Sequence, residues 1–425
     1  MIITGIVLLF AVALVIWLGG QATTRRTSPE AEQQRLRQVA VQPVKDYIQS
    51  CLDVVTSTAL ELLGKQGGVL YQSQGGLTQD VTETPGPRGP GTAYVRYDGL
   101  NVSYDLLRPT ANIDSLYYAE PSLYPWETFP YIFNDTARTT VRKTQFTGYF
   151  GESKLPPLFK PGKESIQEQI ESYVNVNLPE CTRWSTFATQ GLSIAADTPN
   201  TSVYIAGNVT QIATEQFFSV LADWQVNVTD LTTGGNTTLN QFSLSYPVHL
   251  AKFYLLVQGI VNAEVTDSTF DPHSVSTAAT PVTVIDDVFQ NPDDKGADDI
   301  VVAQDAESQL RGKPLEFRIL RKNRLPALQW INQTDLDKYH FCKGAHITLD
   351  KNVLTIHQGD PRDWSALLNA TDPDEDTVTF HTLPSAPTQA DATPPDVFRL
   401  YVYANDGGTI EDFQILNIPI KICVA

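Results

Sequence analysis

The chain has 425 residues, a formal net charge of −18 at pH 7 and a sequence pI of about 4.7. Nucleic-acid phosphates are bound by basic surfaces, so this acidity argues against nucleic acid as a partner and favours a solvated, self-repelling exterior. Hydrophobic residues make up 42% of the chain and aromatic residues 10%. This composition is enough for packed cores in about two or three domains.

Residues 1–18 form an uncharged run, MIITGIVLLFAVALVIWL, that is apolar apart from Thr4 and Gly5. As an α-helix this run would be about 27 Å long, close to the hydrocarbon thickness of a bilayer. We predict a hydrophobic N-terminal helix over residues 1–22 that lies in a membrane or packs in a helical bundle. The residues expected to mediate assembly recur at helical spacing: Ile2, Ile6, Leu9, Val12 and Ile16.

No Lys or Arg precedes this run, and the first positive side chains are Arg25 and Arg26. By the positive-inside rule, an anchor with this asymmetry leaves the C-terminal part in the cytoplasm, although long domains can translocate regardless. The sequence features described next indicate the outside, and the conflict disappears if a basic leader has been removed upstream. Over residues 1–60 the chain resembles type IV pilins and their archaeal relatives. The resemblance implies that the apolar helix packs with its copies in a filament core.

Four cysteines, Cys51, Cys181, Cys342 and Cys423, lack the spacing of a metal site and favour two disulfides. Four cysteines permit three connectivities. We predict the Cys51–Cys181 pair, because Cys51 lies within the first amphipathic helical pattern, Cys181 follows a second one with a similar layout, and the bond would clamp the two helices.

Glycosylation sequons are in excess, since eight of the eighteen asparagines precede x-Ser/Thr and chance would give about three. The alternative is that Asn and Thr are simply common in turns and exposed strands. The predicted glycosylation sites are Asn101, Asn134, Asn200, Asn208, Asn227, Asn236, Asn332 and Asn369.

Residues 28–285 are predicted to form an α+β head domain. Apolar residues recur at three and four from Ser28 to Leu63, which indicates an amphipathic helix that Pro43 bends or restarts and that the glycines from Gly64 onward end. A second helix is predicted over residues 163–177. From Leu192 to about Val284 the pattern alternates with period two, which predicts a β-rich, mostly antiparallel sheet.

Residues 286–320 are predicted to be an acidic linker, with an exposed helix as the alternative for the acidic run within them. Asp286 to Glu307 is rich in aspartate, and a solvated charge run is favoured there over a calcium site. An aromatic, proline-rich stretch at residues 117–133 is a candidate contact surface for a subunit or a sugar, with a loop packed on its own domain as the alternative.

Residues 321–425 carry short strand patterns at sandwich spacing. The segments 332–334, 370–380 and 405–407 resemble cadherin-like and immunoglobulin-like repeats of microbial surface proteins. That resemblance implies a C-terminal immunoglobulin-like β-sandwich closed by a Cys342–Cys423 disulfide. In some relatives the DxDxD run binds Ca²⁺, which makes Asp372, Asp374 and Asp376 candidate ligands; the alternative is an uncoordinated acidic turn. No other cofactor is expected.

The sequence offers no catalytic motif, and we do not expect an enzyme. It contains no HExxH, GxSxG, P-loop or GxGxxG pattern. The histidines are interpreted as packing or surface residues without an obvious partner acid: His249, His273, His340, His346, His357 and His381.

Together these features predict a structural subunit of an extracellular type IV pilus-like filament. The expected partners are copies of the chain, joined through their N-terminal helices, and the membrane before assembly. The glycosylated outer domains would meet host or cell-surface glycans. The alternative is a single-pass, membrane-anchored adhesin or receptor ectodomain.

Overall fold

The computed structural model describes residues 29–80, 94–107, 151–159, 162, 164–205, 218–267, 270–290, 297–324, 326–329, 331–339, 341–357, 363–391, 397–407 and 412–421. The predicted N-terminal helix at residues 1–22, with its five assembly residues, lies outside these ranges, as does the aromatic stretch 117–133. Within the described ranges, no helix combines the length and the apolar character that crossing a bilayer requires.

The amphipathic helix predicted from Ser28 to Leu63 is confirmed as α1, Pro29–Lys65. It continues through Pro43, so the predicted restart does not occur. Gly67 and Gly68 follow its end with φ of 75° and 77°, a left-handed backbone that glycine adopts without a Cβ clash. The other helices are α2 (Ile166–Cys181), α3 (Ser185–Ala188), α4 (Leu250–Thr266) and α5 (Gln333–Leu336), with 3₁₀ turns at Gln72–Gln74 and Pro272–Val275.

Strands dominate the rest of the described chain, as the period-two patterns predict, although α4 interrupts the stretch 192–284 that those patterns assign to strands. In chain order they are β1 (Tyr94–Tyr97), β2 (Leu100–Leu107), β3 (Glu152–Ser153), β4 (Leu192–Ala196), β5 (Asn200–Ile205), β6 (Phe218–Asp230), β7 (Asn236–Tyr246), β8 (Val282–Gln290), β9 (Ala297–Leu310), β10 (Lys313–Arg321), β11 (Ala327–Leu328), β12 (Phe341–Cys342), β13 (His346–Asp350), β14 (Val353–His357), β15 (Trp364–Leu367), β16 (Ala370–Thr371), β17 (Thr379–Leu383), β18 (Thr388–Gln389), β19 (Val397–Asn405) and β20 (Asp412–Lys421).

The chain divides into two compact units whose boundaries differ from the predicted ones. The first unit contains residues up to Val55, Asn175–Ser202 and Leu221–Leu244. The second contains Thr56–Val174, Val203–Val220 and Ser245–Ala425. The predicted head domain 28–285 is therefore shared between both units, whereas residues 286–320 and 321–425 belong to one and the same unit. Sequence patterns locate elements along the chain, but they do not reveal which distant elements pack together.

In the first unit, a disulfide joins the helices α1 and α2, which confirms the predicted Cys51–Cys181 pair. The Cα atoms are 5.8 Å apart and the two cysteines are separated by 130 residues. Closing a loop of this length stabilises the folded state by about 4–5 kcal/mol in the loop-entropy account. The Tyr47 hydroxyl supports the bond by donating to the Cys181 carbonyl oxygen at 3.1 Å.

Aromatic side chains pack beside this disulfide in the same unit. The Tyr47 ring meets the Phe187 ring edge-on, with centroids 5.4 Å apart, and Trp184 lies 5.8 Å from Trp224 on β6. Strand β6 is paired with β4, β5 and β7. Trp224 is 1% exposed and its indole N–H donates to the Asp197 carbonyl oxygen at 2.5 Å. A buried indole needs such an acceptor, because an unpaired N–H is costly in a core.

The second unit contains a sheet with the strand order β1-β2-β10-β9-β8, with β3 added on β2. Strand β10 runs parallel to β2 and antiparallel to β9. The prediction of an acidic linker over residues 286–320 is wrong, because most of these residues belong to β8, β9 and β10. Asp298 and Asp299, which the linker prediction places in solvent, are 1% and 5% exposed. Charged residues in this stretch are stable inside the fold because distant arginine and tyrosine side chains pair with them.

The C-terminal part of this unit consists of two four-stranded sheets around one core. Their orders are β12-β20-β19-β17 and β15-β14-β13-β18, and a short β11-β16 pair accompanies them. Phe341, Ile356, Trp364 and Leu416 contribute to the shared core from both sheets. Cys342 is disulfide-bonded, while its predicted partner Cys423 lies outside the described residues. The predicted β-rich C-terminal part is thus confirmed at the level of its strands and sheets.

A close approach between α1 and β10 generates the first prediction. A Cβ added to Gly64 would lie 2.0 Å from the Glu316 carbonyl oxygen, far inside contact distance. The obstructing oxygen belongs to the backbone of β10 and cannot rotate away as a side chain could. Gly64→Ala should therefore lower the free energy of unfolding by about 3 kcal/mol or more, measured by urea denaturation. The matched control is Gly259→Ala in the middle of α4, where nothing lies within 4 Å. This control should gain up to about 1 kcal/mol from helix propensity, and an equal loss in both variants would contradict the prediction.

The carboxyl group of Asp105 in β2 generates a pH prediction. Asp105 is 0% exposed, and burial raises its pKa well above the ordinary value of 3.8, an effect that the Leu320 backbone N–H only partly offsets. Below pH 3.8 both the folded and the unfolded forms are protonated, and the stability contribution is fully present. As the pH rises to the folded pKa, the unfolded chain releases the proton first, so stability falls by up to about 1.4 kcal/mol per pH unit.

Asp105→Asn should therefore be more stable than the wild type at neutral pH, with the difference shrinking toward pH 4. Urea denaturation over a pH series measures this difference. Asp350→Asn, the same change at an exposed position, serves as the control. A constant difference between Asp105→Asn and the wild type at all pH values would show that Asp105 does not titrate as argued.

Candidate functional site

In the described part of the second unit, a cluster of buried ion pairs lies where the C-terminal sheets meet the β1-β2-β10-β9-β8 sheet. Five segments converge there: the end of α4, the start of β9, the end of β10 with the residues after it, the β16–β17 loop, and the end of β19. We call this cluster the junction. It brings together side chains that are far apart in sequence, including Glu264, Asp299 and Asp374.

Two buried arginines form the centre of the junction. Arg321 is 2% exposed and its guanidinium donates to Glu264 Oε1 at 2.9 Å and to Asp299 Oδ2 at 3.1 Å. Arg324 is fully buried, and its Nη2 contacts Glu264 Oε2 and lies 2.6 Å from Asp374 Oδ1. The two guanidinium groups therefore share Glu264 as a common acceptor.

Backbone carbonyl oxygens accept the remaining hydrogen bonds from the Arg324 guanidinium group. Its Nη1 donates to the Glu264 carbonyl oxygen at 2.7 Å, and its Nη2 donates to the Pro373 carbonyl oxygen at 2.9 Å. Its own backbone N–H donates to Asp374 Oδ2 at 2.5 Å. Planar, multidentate pairing of this kind is what arginine provides in a buried site, and lysine could not reproduce it.

The pKa values at the junction reflect burial and charge. Burial raises the pKa of Asp299 to about 6, although the Arg321 guanidinium lowers it. For Arg321, burial lowers the pKa, but the carboxylates of Asp374 and Glu264 outweigh this effect, so that its pKa lies above the ordinary value.

Beside the arginines lies a second layer of carboxyl groups. One carboxylate oxygen from each of Asp372, Asp376 and Asp406 lies within 4.8 Å of the others. The predicted ligand set was Asp372, Asp374 and Asp376, but the structure directs Asp374 to the arginines and brings Asp406 from the end of β19 in its place. Alternate residues of an acidic turn point in different directions, and the spacing alone could not show which ones converge.

Asp372 organises this layer. Its Oδ1 accepts the backbone N–H groups of Asp374 at 2.8 Å and Asp376 at 3.2 Å. Burial, followed by the Asp374 carboxylate, raises the pKa of Asp372 to about 8. Burial, followed by the Asp299 carboxylate, raises the pKa of Asp376 to about 7. Both directions follow from burial and from the like charges of the neighbouring carboxylates.

A second group of potential metal ligands consists of His249, Asp305 and Glu307. The His249 Nδ1 lies 3.8 Å from Asp305 Oδ2, so this histidine does have a neighbouring acid that the sequence did not reveal. Ser308 completes a Ser-His-Asp set, but its hydroxyl donates to Asp305 at 2.5 Å and the residue is 0% exposed. The hydroxyl is therefore oriented toward the acid and away from any substrate. Asp305 also lines a cavity of about 130 Å³ with Lys252, Phe253, Leu256 and Thr280.

Four of the six predicted glycosylation sites that the structure describes are exposed. Asn134 and Asn208 lie outside the described residues, and Asn101 and Asn227 are half-buried. The exposed ones are Asn200, Asn236, Asn332 and Asn369. Glycosylation of these residues stays a prediction.

Sequence reasoning missed the arginine half of the junction. Arg321 and Arg324 sit in a stretch, RILRKNR, that reads as an ordinary basic end of a strand. The one available signal was that this short cluster of basic residues could pair with the aspartates at residues 298–299 and 372–376, which outnumber it. Pairing across such separations is decided by tertiary structure.

Removal of one arginine is predicted to destabilise the second unit strongly. Arg324→Leu would leave Asp374 and Glu264 buried with less compensation, which should lower the free energy of unfolding by about 3–5 kcal/mol in urea denaturation. Arg399→Leu, at an exposed position on β19, is the matched control and should change it by less than about 0.5 kcal/mol.

The double variant Arg324→Leu with Asp374→Leu separates loss of the pair from loss of packing. It should lose less stability than the sum of its single variants, because neither charge is then left alone. Additive losses would contradict a direct interaction between the two side chains.

Comparison with known proteins adds no family to these observations. No protein-family model matches the chain, and no curated protein is similar to it at a significant level.

Proposed function

We propose that the chain is a structural subunit of an extracellular type IV pilus-like filament that polymerises through its hydrophobic N-terminal helix. The observation that carries the proposal is the uncharged run at residues 1–18, which precedes the long helix α1 by ten residues. An apolar surface of this length has to be covered by lipid or by other helices, and identical copies provide the second kind of cover.

Features of the rest of the chain support an extracellular location. The disulfides at Cys51–Cys181 and Cys342 are typical of proteins exposed to an oxidising environment. The exposed sequons, such as Asn236 and Asn332, lie where a sugar could be attached without disturbing a core. The net charge of −18 keeps the outer surfaces of neighbouring copies solvated.

In this proposal the β-rich units form the exterior of the filament and contact cell-surface or host glycans. The C-terminal two-sheet part would act as an immunoglobulin-like or cadherin-like outer module. The proposal includes no enzymatic activity and no nucleic-acid partner, and it places the subunit in the membrane before assembly.

Substitution within the apolar run tests the proposal. Leu9→Asp should abolish polymerisation, because an unpaired carboxylate in an apolar helical core costs several kcal/mol, roughly 2–7. Sedimentation of detergent-free protein and negative-stain electron microscopy measure the loss. The matched control is Leu367→Asp, since Leu367 is 63% exposed and its substitution should leave the filaments intact.

The anchored-ectodomain alternative makes a different prediction for the wild-type chain. In that case the protein stays monodisperse in detergent and in membranes, and no polymers sediment after detergent removal. That result would overturn the filament proposal.

A further inference from the structure

We propose that a polar cavity beside the β1–β2 hairpin binds a single acidic sugar residue, with Arg96 pairing with the sugar carboxylate. The cavity has a volume of about 300 Å³, and its lining includes Gln66, Gln74, Tyr94, Arg96 and Asn101. The inference rests on the extracellular location proposed above, where glycans are met, but not on polymerisation.

A two-residue turn sets which side chains of the hairpin face the cavity. Asp98 and Gly99 connect β1 to β2 with φ of 52° and 75°, the left-handed backbone of the tight turns that suit antiparallel strands. The turn fixes a register in which Arg96 lies opposite Asn101. Because alternate residues of a strand share one face, Tyr94 lies on the same side as Arg96. These three side chains therefore line the same cavity.

Two glutamine side chains form another part of the lining in a fixed arrangement. Gln66 is 0% exposed, and its Nε2 donates to Gln74 Oε1 and to the Val69 carbonyl oxygen, both at 3.0 Å. Gln74 Nε2 donates back to Gln66 Oε1 at 2.9 Å, and Gln74 Oε1 also accepts the Tyr71 backbone N–H at 3.2 Å. This reciprocal pairing holds both amides in place before a ligand arrives, which reduces the entropy lost on binding.

Arg96 determines the charge of the ligand. It is exposed, and within the described residues it forms no ion pair. None of the other described residues that line the cavity carries a formal charge. In a chain with a net charge of −18, this arginine creates a local site that attracts an anion. A guanidinium group matches a carboxylate through two parallel N–H···O bonds, so a carboxylate is the favoured anion.

The rest of the lining suits the ring and the hydroxyl groups of a sugar. The side-chain amides of Gln74 and Asn101 both donate and accept hydrogen bonds, as sugar hydroxyl groups do. The Tyr94 ring adds an apolar surface, and Tyr71 contacts it edge-on with centroids 6.2 Å apart. The volume lies at the lower end of the range for small-molecule sites, which suits one sugar ring rather than an extended oligosaccharide.

Binding of methyl β-glucuronide to the intact chain tests the proposal, with methyl β-glucoside as the neutral control sugar. The chain is produced without N-glycosylation and kept in a detergent that has no sugar headgroup. Isothermal titration calorimetry and saturation-transfer NMR measure binding. The glucuronide should bind about tenfold or more tightly than the glucoside, because a hydrogen bond to a charged group contributes more than a neutral one.

Two variants test the role of charge in the cavity. Arg96→Gln should weaken glucuronide binding by about tenfold, while glucoside binding and the melting temperature stay those of the wild type. Asn101→Asp should have the same effect, because it places a like charge beside the sugar carboxylate. Damage to the fold would not produce this selectivity. Arg399→Gln, at an exposed position on β19, is the matched control and should keep wild-type binding of both sugars.

An acidic sugar has two sources here, a glycan on another surface and the chain's own glycan on Asn101, which is a predicted glycosylation site. The same chain produced with N-glycosylation distinguishes them. Loss of glucuronide binding once mass spectrometry shows a glycan on Asn101 would identify the chain's own glycan as the occupant. Unchanged binding would identify an external glycan.

Three results would overturn the proposal: no glucuronide binding at millimolar concentration, equal affinity for the two sugars, or unchanged glucuronide affinity in both variants. Sedimentation of the same preparations keeps this test separate from the filament proposal. Polymers that form without glucuronide binding remove the sugar site alone, whereas glucuronide binding by a chain that never polymerises removes the filament alone.

Discussion

The pairing of Arg321 and Arg324 with three buried carboxylates is the interaction on which the second unit depends. It connects the end of α4, the β9–β10 hairpin and the β16–β17 loop, and these segments come from distant parts of the chain. Transfer of ions from water into a poorly polarisable interior is costly, so the pairs are favourable only when nearly every donor has an acceptor. Arg324 meets this condition through two carboxylates and two backbone carbonyls.

This arrangement makes the C-terminal two-sheet part a continuation of the same unit. A flexible acidic linker would have left the two sheets free to move on their own. Instead the residues of that stretch form strands, and the aspartates at the start of β9 are structural partners of Arg321 and of the Tyr104 hydroxyl.

The first unit is stabilised in a different way. A disulfide and a group of packed aromatic rings hold the α1 and α2 helices, and both are effective without buried charge. Covalent closure of a long loop restricts the unfolded chain, and disulfides of this kind persist in oxidising environments.

Local regularities were readable from the sequence alone. The three-four recurrence of apolar residues predicted α1, the glycines marked its end, and period-two alternation predicted strands, because each pattern reflects which side of one element is buried. The Cys51–Cys181 pair was also predicted, since the two cysteines belong to amphipathic helical segments of similar layout. Only the tertiary structure decided that Asp298 and Asp299 are buried, that Asp374 pairs with Arg324, and that Asp406 joins Asp372 and Asp376. An aspartate looks the same in a sequence whether water, an arginine or an ion pairs with its carboxylate. Which of them does so depends on residues that only folding brings within a few ångströms.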